Sequence, residues 1–307
     1  MPPGAKGFGL NGPFRPRRAW GQNFLVDARA VGIIARAFDP RPDDRVLEVG
    51  PGQGALTRAV AASVGRLLLV EVDPALAERL RADLLPAFPG TRIEILEADI
   101  LAVPPRDLLA RLDASPEAPA RLLANLPYNI ATAVILTLLP LHPALADLMV
   151  MVQREVAERI TAPPGGKEYG SLSVLCQTYA RVSPVLRLPP GAFRPRPKVT
   201  SEVIHLVLRD PGGAAAADRD GFARFVRAAF AARRKTLHNN LAGVVAPSPD
   251  APGGRTGGGG AAGLGPEGAR RLTAAAGIDG TLRPEQVPVD GFMALYEALR
   301  KAATRTL

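Results

Sequence analysis

The stretch that decides the fold is Arg45-Val46-Leu47-Glu48-Val49-Gly50-Pro51-Gly52-Gln53-Gly54. Its apolar run predicts a buried strand, and its glycines mark a turn before a helical pattern at 55–64. Glycines at such a turn let the backbone approach a ligand, and the start of the helix adds exposed amides. The stretch therefore predicts a nucleotide-type binding turn, with a purely structural turn as the alternative.

Further along the chain, strands continue to alternate with helices. Apolar runs predict strands at 66–70, 91–96, 120–124 and 146–152, with helical patterns between them. Such alternation is typical of an α/β fold with a mostly parallel sheet. A final β-hairpin is expected from two further runs, at 182–188 and 202–208.

Composition divides the chain into a large unit and a smaller one. Residues 1–20 hold four basic residues and no acid, which indicates a basic, disordered arm. A break at 210–217 separates a domain at 21–210 from a helical domain at 211–307. Residues 246–266 are rich in Gly, Pro and Ala and are interpreted as a flexible insertion in the second domain.

Acidic residues follow the second and third predicted strands. Glu71 lies 21 residues after Gly50, about where a dinucleotide-binding fold places the acid that binds ribose hydroxyls. Asp73 precedes Pro74 and is interpreted as a helix cap. Asp99 is a candidate acceptor for an adenine amine, with an ordinary loop acid as the alternative.

The tetrad Asn125-Leu126-Pro127-Tyr128 follows the fourth predicted strand. Open α/β sheets bind ligands at this position, beyond the carboxyl ends of their strands. Asn125 offers a side-chain carbonyl oxygen, and Pro127 favours an extended Leu126 whose backbone carbonyl can face the pocket. Two acceptors and the flat ring of Tyr128 suit a planar base with an exocyclic amine, such as adenine. The alternative is a plain strand-to-helix turn.

The charge of the chain indicates a polyanionic partner. The net charge is +9 and the pI is about 10.4, which favours nucleic acid over an anionic membrane. The Pro-rich segment 189–199 carries Phe193, Arg194, Arg196 and Lys198 and is interpreted as a rigid clamp, with the aromatic ring on a base and the cations on phosphates. Three more cations are candidates for the RNA backbone: Arg233, Arg234 and Lys235.

Several functional classes are disfavoured by the composition. The lone cysteine, Cys176, rules out an intrachain disulfide and is interpreted as a packed core thiol. The three histidines are scattered without metal-ligand spacing, so no metal site is predicted. No apolar run reaches about 18 residues, and the N-terminus lacks the apolar centre of a signal peptide. We therefore expect a cytoplasmic protein without a membrane partner.

The glycine turn alone leaves two cofactors open. Gly50, Gly52 and Ala55 satisfy a loose dinucleotide fingerprint, so a nicotinamide oxidoreductase is one candidate. The spacing of Glu48, Gly50, Gly52 and Gly54 is closer to the S-adenosylmethionine motif of class I methyltransferases. The tetrad at 125–128 resembles the Asn/Asp-Pro-Pro-Tyr motif of amino-directed nucleic-acid methyltransferases, for which dehydrogenases have no use.

More motifs in the same order resemble one narrower family, the small-subunit rRNA adenine dimethyltransferases. They run from about residue 21 to the C-terminus and consist of Gly21-Gln22-Asn23-Phe24-Leu25, Glu48-Val49-Gly50-Pro51-Gly52, Asn125-Leu126-Pro127-Tyr128-Asn129-Ile130, Gln153-Arg154-Glu155-Val156, Tyr169-Gly170-Ser171-Leu172-Ser173, Phe193 with Pro195 and Pro197-Lys198-Val199, and Arg233-Arg234-Lys235-Thr236-Leu237. The long N-terminal arm and the Gly-rich insertion depart from the family pattern.

The resemblance implies an activity and a set of site residues. The expected fold is a class I S-adenosylmethionine methyltransferase, with a Rossmann-like, mostly parallel seven-stranded sheet and a smaller helical C-terminal domain. The expected reaction is dimethylation of two adjacent adenines near the 3′ end of small-subunit (16S) rRNA, by a monomer. The predicted cofactor contacts are Asn23, Leu25, Gly50, Gly52, Glu71, Asp99 and Asn125. The predicted base-handling residues are Asn125, Leu126, Pro127, Tyr128 and Phe193.

Two alternatives share the scaffold. The erythromycin-resistance methyltransferases modify an adenine of large-subunit rRNA, although Leu126 and the segment 233–237 are closer to the small-subunit family. A non-catalytic RNA-binding assembly or transcription factor is the other alternative. The presence of Glu71, Asp99 and Asn125 argues against a lost active site.

Overall fold

The computed structural model describes residues 22–232, 234–245 and 263–305. The basic arm, Arg233 and most of the predicted Gly-rich insertion lie outside these residues. Strands and helices alternate through the first two thirds of the chain, as the sequence predicts, and helices make up the rest.

The strands are β1 (Phe24–Leu25), β2 (Arg45–Val49), β3 (Arg66–Glu71), β4 (Arg92–Glu97), β5 (Ala120–Asn125), β6 (Leu145–Gln153), β7 (Ala180–Leu188), β8 (Phe193–Arg194) and β9 (Ser201–Leu208). The helices are α1 (Ala28–Phe38), α2 (Ala55–Val60), α3 (Pro74–Ala87), α4 (Pro105–Arg111), α5 (Ala131–Leu138), α6 (Arg154–Thr161), α7 (Ser171–Tyr179), α8 (Gly213–Ala217), α9 (Arg219–Ala229), α10 (Leu237–Leu241), α11 (Gly265–Ala275) and α12 (Val289–Arg305).

The central sheet has seven strands in the order β4-β3-β2-β5-β6-β9-β7. The first five pair in parallel, and β9 runs antiparallel to both β6 and β7. The prediction of a mostly parallel seven-stranded α/β sheet is confirmed, as is the closing hairpin of β7 and β9. Because β2 to β5 are parallel, their carboxyl ends share one edge, and the antiparallel β9 begins at that edge with Ser201 opposite Gln153.

Two apolar layers cover the faces of the sheet. Alternate residues of one strand enter different layers, as with Leu47 in one and Val46 in the other, since side chains of a strand point to opposite faces. The first layer continues into the C-terminal helices through buried residues such as Phe222 and Leu295. That layer therefore connects helices α9 and α12 to the sheet.

The structure agrees with the predicted helix cap but shortens the predicted Gly-rich insertion. Asp73 caps α3 as expected, with its carboxylate accepting the Ala75 N–H, and Asp27 caps α1 by accepting the N–H groups of Arg29 and Ala30. The Gly-rich insertion, predicted to reach residue 266, ends earlier, because α11 already begins at Gly265, with Pro266 in its first turn. Pro is favoured in a first turn because its missing N–H has no partner there anyway.

Candidate active site

A cleft opens at the carboxyl edge of β2, β3, β4 and β5. Four loops that follow these strands line it, together with the segment before α1, and the lining includes Gln22, Asn23, Phe24, Leu25, Glu48, Gly50, Gly52, Glu71, Asp99, Asn125, Leu126, Pro127 and Tyr128. The structure thus brings together every predicted cofactor residue and the whole tetrad. A parallel sheet explains this, because strands distant in sequence end side by side.

The glycine turn after β2 depends on backbone conformations that favour glycine. Gly50, Gly52 and Gly54 have φ angles of 64°, 57° and 75°. At Gly52 an added Cβ would lie 2.8 Å from the ring of Phe24, which therefore packs directly on this turn. The turn can carry no side chain here, and its backbone remains accessible from the cleft.

Glu71, the ribose candidate, is held by two backbone amides. The Gly52 N–H donates to one carboxylate oxygen at 3.1 Å, and the Asp73 N–H donates to the other at 3.0 Å. The Glu71 side chain therefore ties the glycine turn to the start of α3. Each carboxylate oxygen can accept a second hydrogen bond, so the group can still bind ligand hydroxyls from the cleft.

Glu48 is a second carboxyl group in the cleft wall, and it is almost fully buried. The Thr57 hydroxyl donates to it at 2.6 Å. Burial raises the pKa of Glu48 to about 7. The Thr57 hydrogen bond acts in the opposite direction and lowers this pKa, whereas the nearby Glu71 raises it further. Burial likewise raises the pKa of Glu71. Together with Asp99, the cleft wall has three carboxyl groups whose oxygens can accept hydrogen bonds from a ligand.

We expect Glu48→Gln to change the pH dependence of stability. The unfolded chain releases the Glu48 proton near pH 4.5 and the folded protein near pH 7, so wild-type stability falls as pH rises through this window and stays lower above it. Glutamine cannot ionise. The stability of the variant relative to wild type should therefore rise by on the order of 3 kcal/mol across the window.

Urea unfolding of both proteins from about pH 4 to pH 8 measures this difference. Glu97→Gln is the matched control, because Glu97 is an exposed carboxyl group at the end of β4. Parallel stability curves for wild type and Glu48→Gln would contradict the assignment of a buried, protonated carboxyl group.

Asp99 is compatible with both roles that the sequence leaves open. It lines the cleft, and one of its carboxylate oxygens accepts the Leu101 N–H at 2.9 Å, which caps the short turn after β4. A carboxylate has further acceptor capacity, so capping and ligand binding are compatible.

The side chain of Asn125 lies at the end of β5 and has a defined orientation. Its Nδ2 group donates to the backbone carbonyl of Asn23 at 3.0 Å. A carbonyl oxygen only accepts hydrogen bonds, so the amide must direct its NH2 group to Asn23 and leave Oδ1 as the acceptor for another donor. The segment before α1 thus fixes the amide by a long-range contact.

The rest of the tetrad positions a carbonyl and a ring. The Leu126 N–H donates to the Met151 carbonyl on β6 at 3.2 Å, and the Pro127 carbonyl accepts from Ile130 and Ala131 at the start of α5. The Leu126 carbonyl accepts no hydrogen bond from the described residues. Tyr128 is half-buried in the cleft wall, and its hydroxyl lies 2.6 Å from the Ser201 hydroxyl.

Phe193 does not occupy the predicted position. It is fully buried among Leu25, Leu188, Ala192 and other residues of the second apolar layer, and it is not part of the cleft lining. The structure therefore does not place its ring towards the cleft, and contact of this ring with a base stays a prediction. The reason is a long-range pairing, in which β8 forms a two-stranded ribbon with β1 and places Leu25 opposite Phe193.

The predicted RNA-facing cations are on the surface. Arg194, Arg196 and Lys198 are exposed on the segment that leads from β8 into β9. Arg234 and Lys235 are exposed before α10, and Arg233 lies outside the described residues. Their exposure is compatible with the predicted phosphate contacts.

The described residues also show the environment of the lone cysteine and whether a metal cluster or a membrane-spanning helix is present. Cys176 is fully buried, and burial raises the pKa of its thiol to about 12, in agreement with a packed core thiol. Within the described ranges, no cluster of three or more His, Cys, Asp or Glu side chains could hold a metal ion. In the same part of the chain, no helix combines the length and apolar character needed to cross a bilayer.

Sequence reasoning missed the contacts that arise between distant segments. These are the Asn23 carbonyl on Asn125, Phe24 on Gly52, and Ser201 on Tyr128. A backbone carbonyl has no sequence signature, and Ser201 follows an ordinary strand pattern. For Phe24, the adjacent polar Gln22 and Asn23 are an ambiguous signal, since this pattern fits a loop that folds over a ligand and a plain lead-in turn equally well.

Comparisons with known proteins agree with this geometry. A family model described as ribosomal RNA adenine dimethylase matches residues 14–248. Ribosomal RNA small subunit methyltransferase A of Geobacter metallireducens is 41% identical over 288 residues, which cover 93% of this chain and 96% of that protein. The protein of the same name from Xylella fastidiosa is 40% identical over 232 residues, 76% of this chain and 85% of its own length.

Two solved structures have similar folds. The 23S rRNA methyltransferase ErmE superposes with a TM-score of 0.62 at 25% identity, covering 90% of this chain and 99% of that chain. A dimethyladenosine transferase from Plasmodium falciparum has a TM-score of 0.69 at 19% identity, covering 89% of this chain and 95% of that chain. The second likeness concerns the fold alone, and both support a class I methyltransferase architecture.

Proposed function

Because the chain belongs to the ribosomal RNA adenine dimethylase family, we propose that it dimethylates N6 of two adjacent adenines near the 3′ end of small-subunit (16S) rRNA during ribosome assembly. The proposed methyl donor is S-adenosylmethionine. The observation that carries the proposal is the fixed amide of Asn125, whose Oδ1 is left to accept from a substrate amine at the strand edge.

The residues of the cleft fit this cofactor. The glycine turn at 50–54 lines the cleft without side chains at its glycines, so a ligand can approach its backbone closely. Glu71 offers acceptors for ribose hydroxyls, and Asp99 offers one for an adenine amine. Asn23, Leu25 and Gly50 complete the proposed contacts, and the bound cofactor would supply an electrophilic methyl group.

The proposed role of Asn125 follows from the chemistry of adenine. N6 is a poor nucleophile because its lone pair is delocalised into the ring. Acceptors at Asn125 Oδ1 and at the Leu126 carbonyl would hold both N–H bonds and localise that lone pair towards the methyl group. Transfer makes the nitrogen acidic, so no strong general base is required. Holding the amine in line supplies much of the remaining acceleration.

Tyr128 is proposed to stack on the extruded adenine. Stacking of a base on an aromatic ring contributes roughly 1–3 kcal/mol, which helps offset the few kcal/mol needed to unstack it from RNA. A second transfer to the same nitrogen requires the monomethyl product to rotate about its exocyclic bond, so the pocket must have room beside N6.

We propose that the exposed cations of the 194–198 segment contact rRNA phosphates. Replacing Arg194, Arg196 and Lys198 by alanine should weaken binding to unmethylated small subunits and flatten its dependence on salt. Each lost phosphate contact is expected to reduce the logarithmic salt slope by about 0.7–0.9, so the triple variant should lose about 2 to 3. Equilibrium binding at several salt concentrations measures the slope.

The matched control replaces three cations at the opposite edge of the sheet: Arg41, Arg45 and Arg92. That variant carries the same change in net charge and should keep the wild-type slope. An equal loss of slope in both triple variants would mean that only the total charge matters. We propose Arg234 and Lys235 as further phosphate contacts, on the basis of the family match and the basic composition of the chain.

Transfer of labelled methyl groups from S-adenosylmethionine tests the proposed function. Unmethylated small subunits and large subunits would be incubated with the protein in parallel. Label in small subunits alone supports the proposal, whereas label in large subunits would assign the chain to the resistance-type activity. Tight binding to small subunits without label would indicate a non-catalytic assembly factor. We further propose that the protein acts as a monomer in the cytoplasm, where bacterial subunits are assembled.

A further inference from the structure

Ser201 lies outside the residues that the motifs single out, yet it contacts one of them. Its Oγ atom is 2.6 Å from the phenolic oxygen of Tyr128, a distance typical of a good O–H···O hydrogen bond. Burial raises the pKa of Tyr128, so the phenol keeps its proton at neutral pH and both partners are neutral hydroxyls. The contact spans 73 positions of sequence.

The two partners differ in how firmly they are held. Ser201 is fully buried, and its strand β9 pairs with β6 on one side and β7 on the other, opposite Gln153 and Leu188. Tyr128 instead lies in the turn between β5 and α5. The hydroxyl of Ser201 is therefore a fixed point of the sheet, and the ring of Tyr128 is the part that it can restrain.

The tether acts on the edge of the ring, so neither flat face is occupied by this contact. A tyrosine ring has two rotatable side-chain bonds, so an untethered ring in a turn can rotate away from the plane that a base needs. A hydrogen bond at the para oxygen fixes the end of the ring farthest from the backbone, and with it the direction of the ring axis. Because the O–H bond and the acceptor lone pair of a phenol lie near the ring plane, the direction of this hydrogen bond also favours one orientation of that plane. This explains why a tyrosine serves at 128, since a phenylalanine would offer the same face without the tether.

We propose that Ser201 is a positioning residue, whose hydroxyl holds the ring of Tyr128 in the plane in which the target adenine stacks. The proposal rests on the function proposed above and adds a residue to it. Ser201 begins the strand that follows the basic segment 194–198, so the tether also connects the proposed phosphate contacts to the base pocket along one stretch of chain.

A double-mutant cycle tests the tether directly. The variants are Ser201→Ala, Tyr128→Phe and the combination of both, each assayed for the single-turnover rate of methyl transfer to saturating unmethylated small subunits. Each single variant should lower this rate about 3- to 10-fold, the effect of one neutral hydrogen bond. The double variant should be no slower than either single one, because both changes remove the same bond.

Further measurements separate positioning from folding. Affinity for S-adenosylmethionine, measured by calorimetry, should remain unchanged in all three variants, since the tether acts on the base side of the cleft. Ser173→Ala is the matched control, because Ser173 is also a fully buried serine and donates to the Arg159 carbonyl far from the cleft. It should lose stability without losing rate.

The outcomes are distinguishable. Wild-type rates in Ser201→Ala, or effects of the two single variants that multiply in the double variant, would overturn the tether while leaving the proposed function intact. A rate loss in Ser173→Ala equal to that in Ser201→Ala would likewise overturn it, since general destabilisation would then explain both. No methyl transfer by the wild type would remove the proposed function, and the tether with it.

Discussion

Asn125→Ala is expected to reduce the single-turnover rate of methyl transfer by about 100- to 1,000-fold, the range found when one fixed polar group of an active site is removed. The side-chain oxygen is the acceptor that we expect to hold the N6 amine, and alanine offers none. RNA affinity should change little, because it depends mainly on cations elsewhere on the surface. Rapid quench with labelled cofactor and saturating small subunits measures the rate.

A second variant at the same position separates acceptor chemistry from orientation. Asn125→Asp keeps an oxygen towards the substrate but places another against the carbonyl of Asn23, where the amide now donates. The rate should therefore fall here too. Asn239→Ala is the control, because Asn239 is an exposed amide on α10, outside the cleft lining. A wild-type rate in Asn125→Ala would contradict the proposed role.

Glu71→Ala should lower the affinity for S-adenosylmethionine by about 100-fold or more. Two losses combine in this variant. The ribose hydroxyls lose a charged acceptor, and hydrogen bonds to charged groups contribute about 1.5–3 kcal/mol each. The Gly52 and Asp73 amides also lose the carboxylate that holds the glycine turn against α3.

The sheet itself provides the matched control. Glu97 lies directly opposite Glu71 in the pairing of β3 with β4, but its side chain is exposed and outside the cleft lining. Isothermal titration of Glu97→Ala should give the wild-type affinity. Equal losses in the two variants would indicate a general effect of removing an acid at this edge, and an unchanged affinity in Glu71→Ala would contradict its role in cofactor binding.

Much of this site is predictable from the amino-acid sequence because its signals are local. The strand at 45–49, the glycines after it and the tetrad at 125–128 each have a pattern within a few residues. A parallel sheet then places the ends of neighbouring strands together without further information. For the same reason, the order of strands and helices along the chain is enough to assign the acids at 71 and 99 to the cleft.

The parts that the sequence did not reveal depend on contacts between distant segments. Phe193 was expected to face a base, but pairing of β8 with β1 encloses its ring in the core. No periodicity predicts a two-residue ribbon between segments that far apart. The orientation of Asn125 likewise depends on a backbone carbonyl at residue 23, and that of Tyr128 on a buried hydroxyl at residue 201.

We propose that this cleft adds two methyl groups to N6 of each of two neighbouring adenines. Mass spectrometry of rRNA fragments from small subunits treated with the protein and S-adenosylmethionine tests it most directly. We predict two adjacent N6,N6-dimethyladenosines near the 3′ end of the small-subunit rRNA, and none in a parallel reaction with Asn125→Ala. Methylation that stops at one methyl group per adenine, or that falls on another base or atom, would contradict the account.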